Sequence, residues 1–219
     1  MAGFHLVLGN KNYSSWSMRP WVALREAGIP FTEEILWLDT DTARDEKRRR
    51  APSARVPVLE HTRTDGSLFT VWDSLAIVEY VAELFPDAGL WPGDPADRAR
   101  ARSLACEMHA GFLGMRGELP MSCKRRRALG RPLSDEAKRD IERVDEIFRG
   151  AAGPFLLGDF SAVDAFYAPP ASRFRSYGIE LSPEASAYAG RLLAVPAVEE
   201  WHRAGAAETA VLAPYDAIP

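Results

Sequence analysis

The sequence is poor in cysteine, in long apolar runs and in excess positive charge. Cys106 and Cys123 are its only cysteines, too few and too scattered for a disulfide framework or a cysteine zinc site. The histidines show no metal-ligand spacing. No apolar run approaches the roughly 20 residues that a transmembrane helix needs. We therefore expect reduced thiols, no metal and no membrane partner.

The net charge is also low, at −4 over 219 residues. Nucleic-acid binders usually carry a basic excess, so no nucleic-acid partner is expected. Two basic runs, residues 47–50 and 124–127, are interpreted as solvated helix faces rather than polyanion sites. The first residues lack the basic and apolar segments of a signal peptide, which favours a cytoplasmic location.

Strand and helix signals alternate at the start of the chain. Residues 5–8 form an apolar run typical of a buried strand, and apolar positions in 18–24 at helical spacing predict a helix with Pro20 in its first turn. Residues 31–38 predict a second strand, parallel to the first because the chain returns through a helix. Residues 41–50 predict a short, exposed helix.

A hairpin and a third helix follow. Residues 56–60 and 68–72 read as two strands around an Asp-Gly turn at 64–66, which predicts an antiparallel pair. Residues 73–85 carry apolar side chains mostly on one helical face before a proline. The resulting order, β-α-β-α-β-β-α, is typical of thioredoxin-like domains.

Beyond a linker rich in proline and glycine, helical signals dominate the rest of the chain. The predicted fold class is α/β plus all-α. We assign residues 1–87 to a thioredoxin-like domain (βαβαββα) and residues 88–219 to an all-helical domain.

The turn at residues 13–20 is the first candidate site. It leads from a strand into a helix, where free backbone N–H groups and the helix dipole favour an anion such as a thiolate. The hydroxyls of Ser14 and Ser15 could donate hydrogen bonds to that thiolate and lower its pKa. Alternatively, these serines only cap the helix.

The run Ser14-Ser15-Trp16-Ser17 is similar to the Ser-Ser-Cys-Ser signature of the zeta, or maleylacetoacetate isomerase, class of glutathione S-transferases. Trp16 stands where that signature has cysteine. The resemblance covers nearly the whole chain. It implies a helical glutathione transferase domain after the thioredoxin-like one, glutathione as the cofactor, and Ser14 or Ser15 as the catalytic residue, with Ser14 matching the first serine of the signature.

The resemblance also implies the glutathione contacts. In that family a Val-Pro peptide is cis and the valine backbone pairs with the cysteinyl unit, roles that fall here on Val56 and Pro57. Asp73 and Ser74 resemble the acid-Ser pair that binds the γ-glutamyl end. The alternative is an edge-strand proline and a helix cap.

Four further residues are assigned less specific roles. Arg55 or Lys47 could meet the glycine carboxylate of glutathione, or serve only as surface charges. Ser161 and Asp164 form a helix-capping box to which we assign a folding role.

The helical half is expected to line the electrophile pocket with adaptable apolar side chains and one histidine. Core packing is the competing interpretation. The candidates are Met108, His109, Phe112 and Met115.

Two functions remain open. The first is a homodimeric transferase that activates glutathione for conjugation or isomerisation of a small hydrophobic electrophile. The second is a non-catalytic protein of the same fold with a binding or regulatory role.

Overall fold

The computed structural model describes residues 3–37 and 41–217, without the side chains of residues 41–43 and 214. The strands are β1 (Gly3–Gly9), β2 (Phe31–Leu36), β3 (Val58–Thr62) and β4 (Leu68–Trp72). The helices that alternate with them are α1 (Ser15–Glu26), α2 (Asp41–Arg50) and α3 (Ser74–Leu84). The later helices are α4 (Pro95–Ala110), α5 (Leu113–Glu118), α6 (Asp135–Arg149), α7 (Ala162–Tyr177), α8 (Pro183–Leu193), α9 (Pro196–Ala207) and α10 (Ala213–Asp216).

The strands form one mixed sheet in the order β2-β1-β3-β4. β1 pairs with β2 in parallel and with β3 antiparallel. β3 and β4 form an antiparallel hairpin, and at its turn Gly66 takes a positive φ of 82° while Asp65 accepts a hydrogen bond from the backbone N–H of Ser67. The predicted element order, the parallel pair and the Asp-Gly hairpin are confirmed.

Helices cover both faces of the sheet. Leu6 and Leu8 of β1 point into the main core with α1 and α3, while Val7 faces the opposite side and packs with Val58. All of these side chains are fully buried. This alternation explains why β1 is central: it is apolar on both faces, as strands covered by helices on both sides are.

The helical half is built around α7, in which every side chain but that of Arg175 is buried. Its start is capped as the sequence predicts, with the Asp164 carboxylate accepting from the backbone N–H of Ser161 at 2.9 Å. Trp21 of α1 meets Trp201 of α9 edge to face, with ring centroids 5.3 Å apart. Such a pair contributes roughly 0.5–1.5 kcal/mol beyond its buried area and joins the two halves.

Three sequence predictions need correction: the start of α1, the start of β3 and the helical assignment of the basic run at 124–127. α1 begins at Ser15, so Pro20 lies in the second turn rather than the first; Ser14 caps the earlier start. β3 begins at Val58 rather than residue 56, because a proline at 57 has no N–H for the ladder. The predicted end of the second strand, Leu38, lies outside the described residues.

The basic run at 124–127 is the third correction. It lies in the connection between α5 and α6 and is not helical. There Arg126 donates to the backbone carbonyl of Cys123 at 2.9 Å, so the guanidinium stabilises the loop itself. The run at 47–50 does lie in a helix, α2, and Arg49 and Arg50 pair there with Glu46.

Within the described ranges, no helix is both long and apolar enough to cross a membrane. The predicted domain boundary at residues 87 and 88 stays a prediction. It falls between α3, the last helix on the sheet, and α4.

Candidate functional site

A cleft of about 620 Å³ opens between the sheet domain and the helices. It lies at the end of the sheet where the β1–α1 turn, the segment before β3 and the start of α3 meet. Its predicted lining residues are Ser14, Ser15, Lys47, Arg55, Val56, Pro57, Asp73, Ser74 and His109. The structure thus gathers residues that lie up to 95 positions apart in the chain.

Hydrogen bonds from the helical half fix the turn that carries Ser14 and Ser15. The backbone N–H groups of Lys11 and Asn12 donate to the Glu208 carboxylate at 2.6 and 3.1 Å, and Asn12 Oδ1 accepts from the backbone N–H of Cys123 at 2.7 Å. Gly205 of α9 allows the close approach, because a Cβ there would lie 2.9 Å from the Lys11 carbonyl carbon. Fixed loop geometry is what a binding turn requires.

Ser14 is the N-cap of α1. Its Oγ accepts from the backbone N–H of Ser17 at 3.3 Å and donates to Ser17 Oγ, 2.8 Å away. Ser17 Oγ in turn accepts from the backbone N–H of Gly9 at 3.0 Å. The Ser14 hydroxyl is therefore engaged in a capping network that ties α1 to β1.

Ser15 is differently placed, although it is equally buried at 7% exposure. Its Oγ accepts a hydrogen bond from Nη2 of Arg173 at 3.2 Å. Arg173 lies in α7, 158 residues away in the chain, and also donates through Nη1 to the Leu119 carbonyl. The Arg173 guanidinium of the helical half therefore donates directly to the Ser15 hydroxyl of the thioredoxin-like half.

Val56 and Pro57 form the cleft wall just before β3, and the peptide bond between them is cis. Lys47, half-buried in α2, and Arg55, exposed in the loop before Val56, add positive charge to this wall. A cleft edge with two cations suits a carboxylate.

Asp73 and Ser74 stand at the start of α3. Asp73 Oδ1 accepts from the backbone N–H groups of Leu75 and Ala76 at 2.9 and 3.3 Å. Its backbone has φ 80° and ψ 136°, a conformation that costs a non-glycine residue roughly 1–3 kcal/mol. Ser74 is fully buried, and its Oγ has no hydrogen-bond partner among the described residues.

His109 of α4 faces Asp73 across the cleft. Its Nε2 lies 3.3 Å from Asp73 Oδ2, and its ring meets Trp16 edge to face with centroids 4.9 Å apart. Burial lowers the pKa of His109; Asp73 opposes that shift, while Arg19 and Arg116 reinforce it. The imidazole is therefore neutral at neutral pH.

Arg19, Arg116 and Arg173 lie near the cleft and repel one another. The sequence analysis did not predict them as site residues. Burial lowers the pKa of Arg19 well below its usual range, with contributions from Arg116 and Arg173. Burial, followed by Arg116, lowers that of Arg173 to about 10. Together the three guanidinium groups give the cleft a positive field that favours anions.

Trp16 lies among these cations. The guanidinium of Arg19 sits 4.3 Å and that of Arg116 5.2 Å from its ring. Sequence reasoning treated Trp16 only as a departure from a signature, yet it lines the cleft. Other lining residues that the sequence analysis missed are Tyr13, Ser53, Ala54, Trp72, Arg116, Pro120, Arg173 and Tyr215.

Met108, Phe112 and Met115 do not line the cleft, which corrects their predicted place in the electrophile pocket. Their exposed fractions are 1%, 7% and 0%, and all three belong to the main core. The helical stripe breaks at Gly111, where a Cβ would lie 2.9 Å from the Glu107 carbonyl oxygen. α4 ends before this glycine, and of the predicted four only His109 lines the cleft.

In the part of the chain that the structure describes, no three His, Cys, Asp or Glu side chains are grouped to hold a metal ion. The two thiols also lie apart from the cleft lining. Burial raises the pKa of Cys123 to about 12, which makes it a poor nucleophile.

Comparison with known proteins agrees with this geometry. Residues 13–84 match the family described as "Glutathione S-transferase, N-terminal domain". A probable maleylacetoacetate isomerase of Caenorhabditis elegans is 27% identical over 177 residues, covering 78% of this chain and 79% of the relative. The maleylacetoacetate isomerase of Rattus norvegicus is 28% identical over 185 residues, covering 78% of each.

A solved glutathione transferase homologue from Burkholderia, crystallised with bound glutathione, has a TM-score of 0.71 and 24% identity, covering 92% of this chain and 97% of its own. The resemblance to glutathione S-transferases and the fold predicted from it are confirmed. Residues 13–84 thus match a glutathione S-transferase N-terminal domain, and the chain as a whole has the glutathione transferase fold.

Proposed function

We propose that this protein is a glutathione transferase that holds glutathione in the cleft and stabilises its thiolate for attack on a small electrophile. The observation that carries the proposal is the buried Ser74 hydroxyl, which faces the cleft without a protein partner. A buried polar group left unpaired costs roughly 1–3 kcal/mol, so it is expected to have a partner when a ligand is present.

The α-carboxylate of a γ-glutamyl group suits that hydroxyl. It would also meet the N-terminus of α3, where the helix dipole favours negative charge. The α-ammonium of the same group would meet Asp73 Oδ2, because Oδ1 is already occupied by the helix cap. The strained backbone of Asp73 is the kind of feature that binding sites retain.

The remaining contacts follow the sequence prediction. The backbone of Val56 would pair with the cysteinyl unit, beside Pro57, and Arg55 or Lys47 would meet the glycine carboxylate. Ser14 or Ser15 would donate to the thiolate at the start of α1. A free thiol has a pKa of about 8.5, and the positive field of the cleft would lower it toward neutrality.

The electrophile would lie against Trp16 and His109, with Arg116 beside them. Aromatic and imidazole surfaces accept a small hydrophobic electrophile. A second candidate is the glutathione-dependent isomerisation of an unsaturated carboxylate, as the names of the isomerase relatives suggest for those proteins. The arginine cluster favours it, because an anionic substrate is attracted by a group of neighbouring guanidinium charges.

The wider setting is proposed from the family resemblance. We expect a homodimer, a cytoplasmic location and a role in detoxification. Apolar side chains exposed on the sheet domain, among them Leu68, Leu84 and Phe85, offer surface for a second copy. Light scattering that gives the monomer mass at micromolar concentration would contradict the proposed homodimer.

Glutathione calorimetry followed by an electrophile screen tests the proposal. The panel should include a chloronitrobenzene for conjugation and an unsaturated cis-dicarboxylate ester for isomerisation. Binding with turnover of either compound supports the transferase. Binding without turnover of any panel member favours the regulatory alternative, and no binding of glutathione contradicts the transferase.

A further inference from the structure

We infer that Arg173 is a positioning residue for the thiolate site and that it acts through Ser15, which donates the hydrogen bond to the thiolate of glutathione in place of Ser14. This inference rests on the proposed function and deepens it. It assigns the donor to one serine and gives the helical half a part in activating the thiol.

The Ser14 hydroxyl is already committed. Its oxygen accepts the backbone N–H of Ser17, and its proton goes to Ser17 Oγ. Redirecting that proton to a ligand would break the link from Ser14 through Ser17 to Gly9. Ser14 is therefore suited to capping α1 and poorly suited to donating into the cleft.

The Ser15 hydroxyl has the complementary arrangement. Its oxygen accepts from Arg173, and within the described ranges its proton has no protein acceptor. Ser15 lines the cleft at the first residue of α1, where the helix dipole also favours an anion. When the thiol proton leaves to solvent, this hydroxyl can donate to the sulfur without any rearrangement.

Arg173 strengthens that donor. A hydroxyl whose oxygen accepts from a cation becomes more polarised, so its own proton makes a stronger bond to the next acceptor. The guanidinium is only 6% exposed and is fixed by its second bond to the Leu119 carbonyl. It can therefore hold one orientation toward Ser15 and present a positive charge close to the sulfur.

Arg116 provides a matched control. It is a second partly buried arginine of the same cleft, but it donates to the carbonyls of Met108 and His109 and not to Ser15. A general field effect would depend on both arginines. A relay through Ser15 would depend on Arg173 alone.

The test is an ultraviolet titration of the thiolate of glutathione bound to the full-length protein and its variants. We expect Ser15→Ala and Arg173→Met each to raise the bound thiol pKa by about one unit, the size expected for losing a hydrogen bond to a charged acceptor. The double variant should shift little further than either single variant. Arg173→Lys should recover part of the shift, and Ser14→Ala and Arg116→Met should move the titration less than half as far.

The outcomes separate the two proposals. A parent protein that does not retain glutathione overturns this inference together with the proposed function. A parent that lowers the thiol pKa, with Ser14→Ala raising it and Ser15→Ala not, overturns this inference alone. Equal shifts from Arg116→Met and Arg173→Met, or additive shifts in the double variant, do the same. If Arg173→Met fails to fold, Ser15→Ala and Arg173→Lys still decide the result.

Discussion

Nε2 of His109 lies 3.3 Å from Oδ2 of Asp73, and this contact links α4 to the start of α3 across the cleft. The oxygen concerned is the one that we propose for the α-ammonium of glutathione. His109 is held neutral by burial, against the pull of Asp73 and with the help of Arg19 and Arg116. The charge state of His109 therefore bears on glutathione binding.

We predict that acidification weakens glutathione binding through His109. Its pKa is lowered from the usual value of about 6.5, so the imidazole is half-protonated only below that pH. A cationic imidazole beside Asp73 then competes with the ammonium. Between about pH 7.5 and pH 5.5, we expect the Kd of the parent to rise severalfold more than that of His109→Gln, measured by calorimetry. Parallel pH profiles of the two proteins would rule this coupling out.

Ser74→Ala should separate stability from binding. Removing an unpaired buried hydroxyl leaves the free energy of unfolding within about 0.5 kcal/mol of the parent. The same change should reduce glutathione affinity roughly tenfold or more, because it removes a hydrogen bond to a carboxylate. Urea unfolding and calorimetry measure the two effects. Ser103→Ala, which alters an exposed serine of α4, is the matched control and should change neither.

Buried His202 should make the fold sensitive to acid. Burial lowers its pKa to about 3, with help from Arg175 and Arg126, and its Nε2 lies 2.8 Å from Ser172 Oγ. Since the unfolded state binds the proton first, the stabilisation present above about pH 6.5 is lost as the pH falls toward 3. At pH 5 the loss is about 2 kcal/mol.

His202→Gln should lack that loss. Urea unfolding at about pH 7.5 and pH 5 measures the difference. His5→Gln, a change at a half-buried histidine of β1, serves as the control for the loss of an imidazole. An equal acid loss in His202→Gln and the parent would exclude His202 as its source.

Asp164→Ala should be strongly destabilising. The carboxylate accepts from the backbone N–H groups of Leu156 and Ser161 and from the Tyr188 hydroxyl, all in the buried interior. Leaving these donors unpaired should cost about 3 kcal/mol or more of unfolding free energy. Asp94→Ala removes the exposed cap of α4, where water can replace the carboxylate, and should cost only about 1 kcal/mol. Similar losses in the two variants would contradict this reading of Asp164.

Local chemistry made most of the sheet domain predictable. The Asp65-Gly66 turn predicts a hairpin whatever the sequences of the two strands that it joins. The helix cap at Asp73 depends only on residues that follow it within one helical turn. The site residues at the start of α1 and α3 could be placed from the same signals. Their gathering in one cleft follows from the βαβ crossover and the hairpin, which bring both helix starts to one end of the sheet.

Long-range contacts could not be read in the same way. Nothing near residue 173 in the sequence indicates that its guanidinium reaches Ser15. The Met108 and Met115 stripe fits a pocket wall and a core equally well, and only the burial of both side chains in the folded core decides between them. Periodicity identifies an apolar face but not what the face packs against.

Calorimetry of the parent protein with glutathione and with cysteinylglycine tests the central claim most directly. The dipeptide keeps the thiol and the glycine carboxylate but lacks the γ-glutamyl group that Asp73 and Ser74 are proposed to bind. We predict one glutathione per chain and at least about tenfold weaker binding of the dipeptide, since a hydrogen bond to a charged group contributes about 1.5–3 kcal/mol. Equal affinities, or no binding of glutathione, would contradict the account.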